Sequence, residues 1–230
     1  MSGHLNPGGQ QFRGDRGGAD PRVTAALAAY QTGQGSEQAA LGALAAARLL
    51  VPVIAILGDA PPNQTQGDKD SEMVLPTLIG RDGRPAVLAF TGLDALARWR
   101  PDARPVPAEA DRVWRAAVAD GCAVVIDVAG PVPLAVEGAR LTALADGQPV
   151  PPPHEDPDVR AEVQAALAAE PAIAGFSLAP GRGAADLAIT LHLVPQNDAD
   201  WQPAVNRAAT GIATRLGARL RRGIEVVVAE

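Results

Sequence analysis

Gly147-Gln148-Pro149-Val150-Pro151-Pro152-Pro153-His154-Glu155-Asp156-Pro157 decides how this chain is partitioned. Three consecutive prolines favour a stiff, extended polyproline II spacer. Periodic apolar segments stand on both sides, so the sequence predicts two small domains joined at this seam. Residues 1–19 are expected to form a disordered tail, because their glycines lose too much entropy to order without a core. Residues 20–148 form the expected N-terminal domain, 149–156 the Pro-rich linker and 157–230 the C-terminal α+β domain.

Downstream of the seam, Asp156 is an N-cap residue ahead of Pro157 at a first helical position. Val159, Val163 and Leu167 then share one helical face. Ile173 to Ala179 and Asp186 to Val194 read as strands across a Gly181-Arg182-Gly183 turn. Asp200 is positioned to cap a long helix with Trp201, Val205, Ala208, Ile212, Leu216 and Leu220 on one face. Ile224 to Val228 is a closing strand. The order is α-β-β-α-β, with helices expected over one face of an antiparallel sheet.

Upstream, Asp20-Pro21 and Ser36 mark two helix starts, the second helix running through Leu41, Leu44 and Arg48. Leu49 to Leu57 reads as a buried strand, with Pro52 pointing to an edge or a bulge. Met73 to Ile79 and Pro85 to Phe90 read as strands around the Gly80-Arg81-Asp82-Gly83 hairpin signal. Thr91 is placed to cap a helix through Trp99, with Asp94 as its capping-box partner. Pro101, Pro105 and Pro107 enforce an extended crossing. Ala108 to Ala119 is helical with Ala110, Val113, Ala117 and Val118 inward, and Ala123 to Val128 is an apolar strand interrupted by Asp127. Leu134 to Val136 is another strand, and Arg140 to Ala145 a short helix. The fold class expected is α/β to α+β, the N-terminal part a mixed sheet with flanking helices.

Composition narrows the function classes. Of 230 residues, 47% are hydrophobic, enough for a real core, and only 3% are aromatic, so that core is aliphatic. The net charge of −6 argues against general nucleic-acid binding, which requires a basic surface to displace counterions. Cys122, the single cysteine, excludes an intrachain disulfide and a thiolate zinc cage. The sequence shows neither an apolar signal core nor a membrane-length apolar run. The cytosol is the expected compartment.

Several constellations fail on inspection. Asp68-Lys69-Asp70-Ser71-Glu72 alternates carboxylates that could hold a hard cation, but Met73 and Ile79 stand where a calcium loop needs Gly and Glu. Lys69 is a poor nucleophile, because its acidic neighbours keep the ammonium charged. Gly175-Phe176-Ser177 continues as a strand, so Ser177 reads as a buried strand serine and not a nucleophile elbow. His192 lies mid-strand, His154 beside the prolines and His4 in the tail, too scattered for a metal centre. Arg207, Arg215, Arg219 and Arg222 lie along one side of the last helix, where cations offset the helix dipole and solvate an outer face. The Trp99-Arg100 and Trp114-Arg115 pairs read as packing rather than as nucleotide-stacking platforms.

The stretch from Lys69 to Pro107 carries the most distinctive text. It contains Lys69-Asp70-Ser71-Glu72-Met73, Leu75-Pro76-Thr77, Asp82-Gly83-Arg84, Phe90-Thr91, Leu96 to Pro101 and Arg104-Pro105-Val106-Pro107. With Ile126-Asp127-Val128-Ala129-Gly130-Pro131, it resembles the N-terminal domain of the SseB family of bacterial proteins. The likeness covers roughly 41–145, and a weaker one to the family's C-terminal domain covers the rest. The resemblance implies a link to serine sensitivity and no catalytic residue to carry over.

Phe90 and Trp99 read as core and Thr91 as a cap, whereas Lys69, Asp70, Ser71 and Glu72 have no structural duty. A polar loop without a packing role is a functional lead. The leading expectation is a non-enzymatic interaction or regulatory module, with Lys69, Asp70, Ser71, Glu72, Arg100 and Arg104 as binding residues. It takes an unidentified protein partner or a small molecule, with no cofactor, metal, membrane or nucleic acid. One alternative is an amino-acid-binding protein, in which the loop and Arg100 or Arg104 grip a zwitterion. The other is a metal-dependent hydrolase built on Asp68, Asp70 and Glu72.

Overall fold

The structure, a computed structural model, describes residues 12, 14–57, 71–74, 76–80, 83–195 and 201–229. They fall into two compact units. One holds the described residues up to Thr24 together with Leu44–Gln148; the other holds Ala25–Ala43 and Pro149–Glu230. The family of helices and mixed sheets is the α/β to α+β class that the apolar periodicity predicts.

Two helices open the chain, α1 (Pro21–Gln31) and α2 (Glu37–Ala45). Both start where the sequence signals them. Asp20 Oδ1 accepts the Arg22 N–H at 2.8 Å, and Ser36 Oγ accepts the Ala39 N–H at 3.2 Å. The second helix ends at Ala45, short of the expected Arg48, which instead opens strand β1 (Arg48–Leu57).

In the first unit, β1 lies between β2 (Ser71–Val74) and β5 (Arg104–Glu109). The second sheet runs β3-β4-β6-β7, from Thr77–Ile79, Pro85–Ala89, Ala123–Ile126 and Leu134–Val136. Helices α3 (Leu93–Trp99), α4 (Ala110–Ala119) and α5 (Gly138–Ala145) belong to the same unit. The expected single strand Met73–Ile79 is broken around Pro76, and its halves, β2 and β3, join different sheets. Proline cannot donate to a ladder, which makes this the natural break.

Proline also shapes the first sheet. Leu50 exchanges both backbone bonds with Phe90 at 2.8 Å. Antiparallel alternation therefore turns Leu50, Pro52 and Ile54 toward one side of β1 and Leu49, Val51 and Val53 toward β5. Pro52 thus falls in the gap between the Leu50–Phe90 bridge and the β2 pairing that begins at Ile54, not on an edge strand. By the same alternation the missing N–H groups of Pro105 and Pro107 face the open edge of β5, blunting it.

Helix α4 corrects the expected inward face. Ala110, Val113, Trp114 and Ala117 are buried, while Val118 is 42% exposed. The i, i+3, i+4, i+7 stripe thus includes the largest side chain of the helix.

The second unit contains α6 (Pro157–Leu167), β8 (Ile173–Pro180), β9 (Leu187–Leu193), α7 (Gln202–Leu216) and β10 (Ile224–Val228). The sheet order is β10-β9-β8, antiparallel between β8 and β9 but parallel between β9 and β10. The expected purely antiparallel sheet is thereby corrected, since α7 serves as the crossover that parallel neighbours require. Val159, Val163, Leu187, Ile189, Leu191, Ile212 and Leu216 build its core. Trp201 is 42% exposed and stands at the N-cap of α7, off the apolar face expected for it; Asp200 lies outside the described residues. Ser177 is exposed on β8, not buried, and His192 is exposed on β9 opposite Gly175.

Of the four arginines assigned to the last helix, Arg207 and Arg215 do stand on a solvated face of α7, 63% and 45% exposed, whereas Arg219 and Arg222 lie past its end at Leu216. Arg207 makes two 2.8 Å bonds to Glu170, and Arg215 lies 2.9 Å from Glu162. Arg219 is the anchor of the unit. Its Nε is 2.7 Å from Glu37 Oε2, and its Nη2 bonds the Asp156 carboxylate. Side-chain exposures of 14% for Arg219, 5% for Glu37 and 0% for Asp156 make this a buried cluster. Burial opposes the guanidinium charge, and the two carboxylates outweigh it, holding Arg219 above its ordinary value. Asp156 also caps α6 by accepting the Asp158 N–H at 2.8 Å.

Arg219→Met leaves two carboxylates buried without their cation and is expected to lower unfolding free energy by about 3–5 kcal/mol. Urea unfolding of the variant beside the wild type measures it. Arg215→Met, which breaks an exposed pair, is expected to cost below about 1 kcal/mol.

Candidate functional site

The parallel pair β4–β6 is registered Ala86 to Ala123 through Ala89 to Ile126. In α/β sheets, ligands bind outside the carboxyl ends of parallel strands. Here β4 runs into Phe90-Thr91-Gly92 and β6 into Asp127-Val128-Ala129-Gly130. The expected strand through Val128 stops at Ile126, because Asp127 turns to φ 48°. Few residues other than glycine adopt that conformation, and aspartate is one that tolerates it. Gly130 donates its N–H to the Asp127 carbonyl at 2.7 Å, and a Cβ there would stand 2.9 Å from the Asp127 Cβ.

Asp127 is buried and clasps Thr91. The Thr91 N–H donates to Oδ1 at 2.8 Å and the Thr91 hydroxyl to Oδ2 at 2.6 Å. Thr91 is therefore not the helix cap that its position suggests. Gly92 occupies the N-cap of α3, without a side-chain cap bond, and the Thr91 side chain reaches across to β6 instead. Burial pushes the Asp127 carboxyl above its ordinary value. The Thr91 bonds and the Arg98 charge pull the other way without cancelling it. Beneath the clasp, Phe90 packs on Trp99 with ring centroids 5.5 Å apart, in a cluster with Leu50, Leu88 and Leu96.

Arg48 carries the clasp outward. Its Nη1 donates to the Thr91 carbonyl at 3.1 Å, its Nε lies 2.7 Å from Asp15 Oδ2, and its Nη2 bonds the Gly18 carbonyl. Residues 14–19, expected as part of a tail, thus lie against this site. Gly17 has φ 75°, and its carbonyl accepts the Leu93 N–H at 2.8 Å. A Cβ at Gly17 would run into the Leu93 side chain, so the glycine that weakens order elsewhere permits the contact here. A cavity of about 490 Å³ adjoins, lined by Gly18, Asp20, Pro21, Arg22 and Arg48.

The sequence-predicted binding residues fall elsewhere. Asp68, Lys69 and Asp70 lie outside the described residues. Ser71 and Glu72 stand in β2 opposite Leu57 and Ile56. Arg100 is the C-cap of α3, exposed, with its Nε 3.1 Å from Asp102 Oδ1. Arg104 opens β5 opposite Val53 and is also exposed. Strand spacing and rise separate the backbones of Glu72 and Arg104 by roughly 14 Å. Among the described residues, no group of three or more His, Cys, Asp or Glu could hold a metal ion.

A family model for the SseB protein N-terminal domain matches residues 23–143. The chain belongs to the SseB family. No curated protein and no solved structure matches it. The match to the SseB N-terminal domain takes in Arg48, Phe90, Thr91, Trp99, Asp127 and Gly130, the residues that meet at the carboxyl ends of β4 and β6. Asp15 precedes it. Arg48 and Asp15 are the site residues that sequence reading missed. Neither belongs to a local motif, and a lone aspartate in a glycine-rich stretch gives no signal of its own.

In this SseB-family protein the raised Asp127 value has a definite sign. The native state takes up a proton more readily than the unfolded chain, so Asp127 adds stability as pH falls through its native value and loses it as pH rises. Asp127→Asn tolerates the same backbone and lacks that titration. The wild type is expected to gain stability relative to the variant as pH is lowered from neutral toward the ordinary aspartate range, read by urea unfolding at each pH.

Proposed function

We propose that this SseB-family protein is a non-enzymatic interaction or regulatory module of the bacterial cytosol. One observation carries the reading: the four acidic residues that are buried as whole residues among the described ones are engaged in bonds that hold the fold. Glu37 and Asp156 are held by Arg219, Glu170 by Arg207 and Asp127 by Thr91. A general acid or base needs a free lone pair or proton aimed at a substrate. Groups committed in this way serve shape instead. Among the described residues, no helix is long and apolar enough to cross a membrane.

The contact surface assigned to this module runs from Glu72 to the Arg100–Pro107 crossing. Arg100, Pro101, Asp102, Arg104 and Pro105 are all exposed, while Ala103 is buried between them and anchors the strip. The prolines limit the freedom that such a strip loses on binding.

A second reading, a small-ligand protein for amino acids, is favoured by the cavity at Arg48. Asp20, Arg22 and Arg48 offer both signs of charge to a zwitterion within about 490 Å³. Its measurement is thermal shift against the amino acids, where a ligand at about 100 times its Kd adds about 2.7 kcal/mol of stability. No shift with any amino acid contradicts that reading.

For the module, affinity capture from the native cytosol compares wild type with Arg100→Glu/Arg104→Glu. The expected outcome is a stoichiometric partner held by the wild type and lost by the variant. The same proteins captured equally by both would remove the assigned surface.

A further inference from the structure

The segment Asp15–Ala19 lies at the carboxyl ends of β4 and β6, where parallel sheets take their ligands. It is held as a turned peptide, with Gly17 in the left-handed region and its N–H donating to Asp15 Oδ1 at 2.8 Å. The Asp15 carboxylate sits on the Arg48 guanidinium, the Gly18 carbonyl takes another N–H of the same group, and the Gly17 carbonyl accepts the Leu93 N–H at 2.8 Å. Of residues 14–19 only Gly17 is buried. Polar contacts and one glycine therefore secure the segment, with no apolar side chain seated. Segments with so little apolar burial open at low free energy.

We propose that Arg48, the Thr91 carbonyl frame and the Leu93 N–H form a recognition site for an acidic peptide of a partner protein that turns at a glycine, and that residues 15–19 occupy it as a tethered competitor. The inference rests on the reading of the protein as an interaction module and names the partner chemistry. Charge sets the first requirement. The Arg48 side chain is 16% exposed, so departure of Asp15 leaves a largely buried guanidinium that demands another carboxylate. Arg48 offers a planar fork, the donor geometry that grips a carboxylate through two bonds.

Space sets the second requirement. The residue two places after the acid meets Leu93, and at that place the chain has glycine at φ 75°. The partner sequence is therefore Asp-x-Gly or close to it. The Thr91–Asp127 clasp keeps the frame in place, since it fixes the residue whose carbonyl receives the Arg48 Nη1.

The test uses the full chain and a fluorescently labelled synthetic peptide of residues 12–20 as the probe. In the wild type, the tethered segment competes at high effective concentration and the probe binds weakly. Asp15→Ala removes the tethered carboxylate, and Gly17→Val drives the segment off Leu93. Each is expected to tighten binding of the probe, measured by anisotropy, by at least about tenfold. A probe carrying Asp15→Asn is expected to lose at least about tenfold against the Asp15→Ala protein, as is the unaltered probe when Arg48→Lys is added.

Thermal unfolding of each variant shows that it is folded before it is scored, and Asp15→Ala, which leaves the backbone of the segment unstrained, serves if Gly17→Val does not fold. Equal affinity of wild type and Asp15→Ala, or indifference of the probe to Asp15→Asn, overturns the proposal. Wild-type dimers that exchange this segment between copies overturn the assignment to a foreign partner. A module that binds only elsewhere would still lose its captured partner with Arg100→Glu/Arg104→Glu while ignoring this peptide, so the two readings fail separately.

Discussion

The carboxylate of Asp127, held by the N–H and hydroxyl of Thr91, is the tie on which the first unit's functional end depends. It joins the carboxyl ends of two parallel strands whose backbones diverge there. The Gly130 N–H and the Ala89 carbonyl hold the Asp127 backbone, and the carboxylate adds the bond that ties Thr91, whose carbonyl receives Arg48, to β6. Burial makes the carboxylate expensive, and the two short bonds in a low-dielectric setting offset part of that cost. Strained backbone persisting at such a point is a feature that clusters at functional sites. From the clasp the connection runs outward through Arg48 to Asp15 and the backbone of residues 17–18.

The second unit is tied by comparable physics. Arg219 brings together the first turn of α2 and the N-cap of α6 through two buried carboxylates. An aliphatic core with few aromatic residues can pack in more than one way, because hydrophobic contact is non-directional. Directional, charge-assisted bonds discriminate among those packings. Both units use arginine for that task, suited by its planar fork and permanent charge.

Much of the architecture was legible because it rests on local rules. Asp20, Ser36 and Asp156 cap helices as their types predict, and the Gly80–Gly83 signal does close an antiparallel pair. What was not legible depended on partners far apart in sequence. Thr91 looks like a cap, yet its hydroxyl bonds Asp127, 36 residues away. Arg219 looks like part of a solvated helix face, yet it lies past the end of α7 and is buried between Glu37 and Asp156, which reach it from other elements. The glycines of residues 14–18 read as disorder. In the fold, one of them is the residue small enough to lie against Leu93. Residues singled out for lacking a structural duty were read in isolation, whereas the residues at the β4–β6 end were read as core or cap and gain their second role only when two strands meet.

Hydrogen exchange at the Leu93 backbone amide tests the occupied-site account most directly, because the Gly17 carbonyl is the acceptor of that N–H. In the full-length wild type the amide is expected to be protected. In Asp15→Ala protection is expected to fall by about tenfold or more and to return when an acidic Asp-x-Gly peptide is added in excess. A Leu93 amide that exchanges at the same rate in both proteins, and ignores the peptide, would contradict the account.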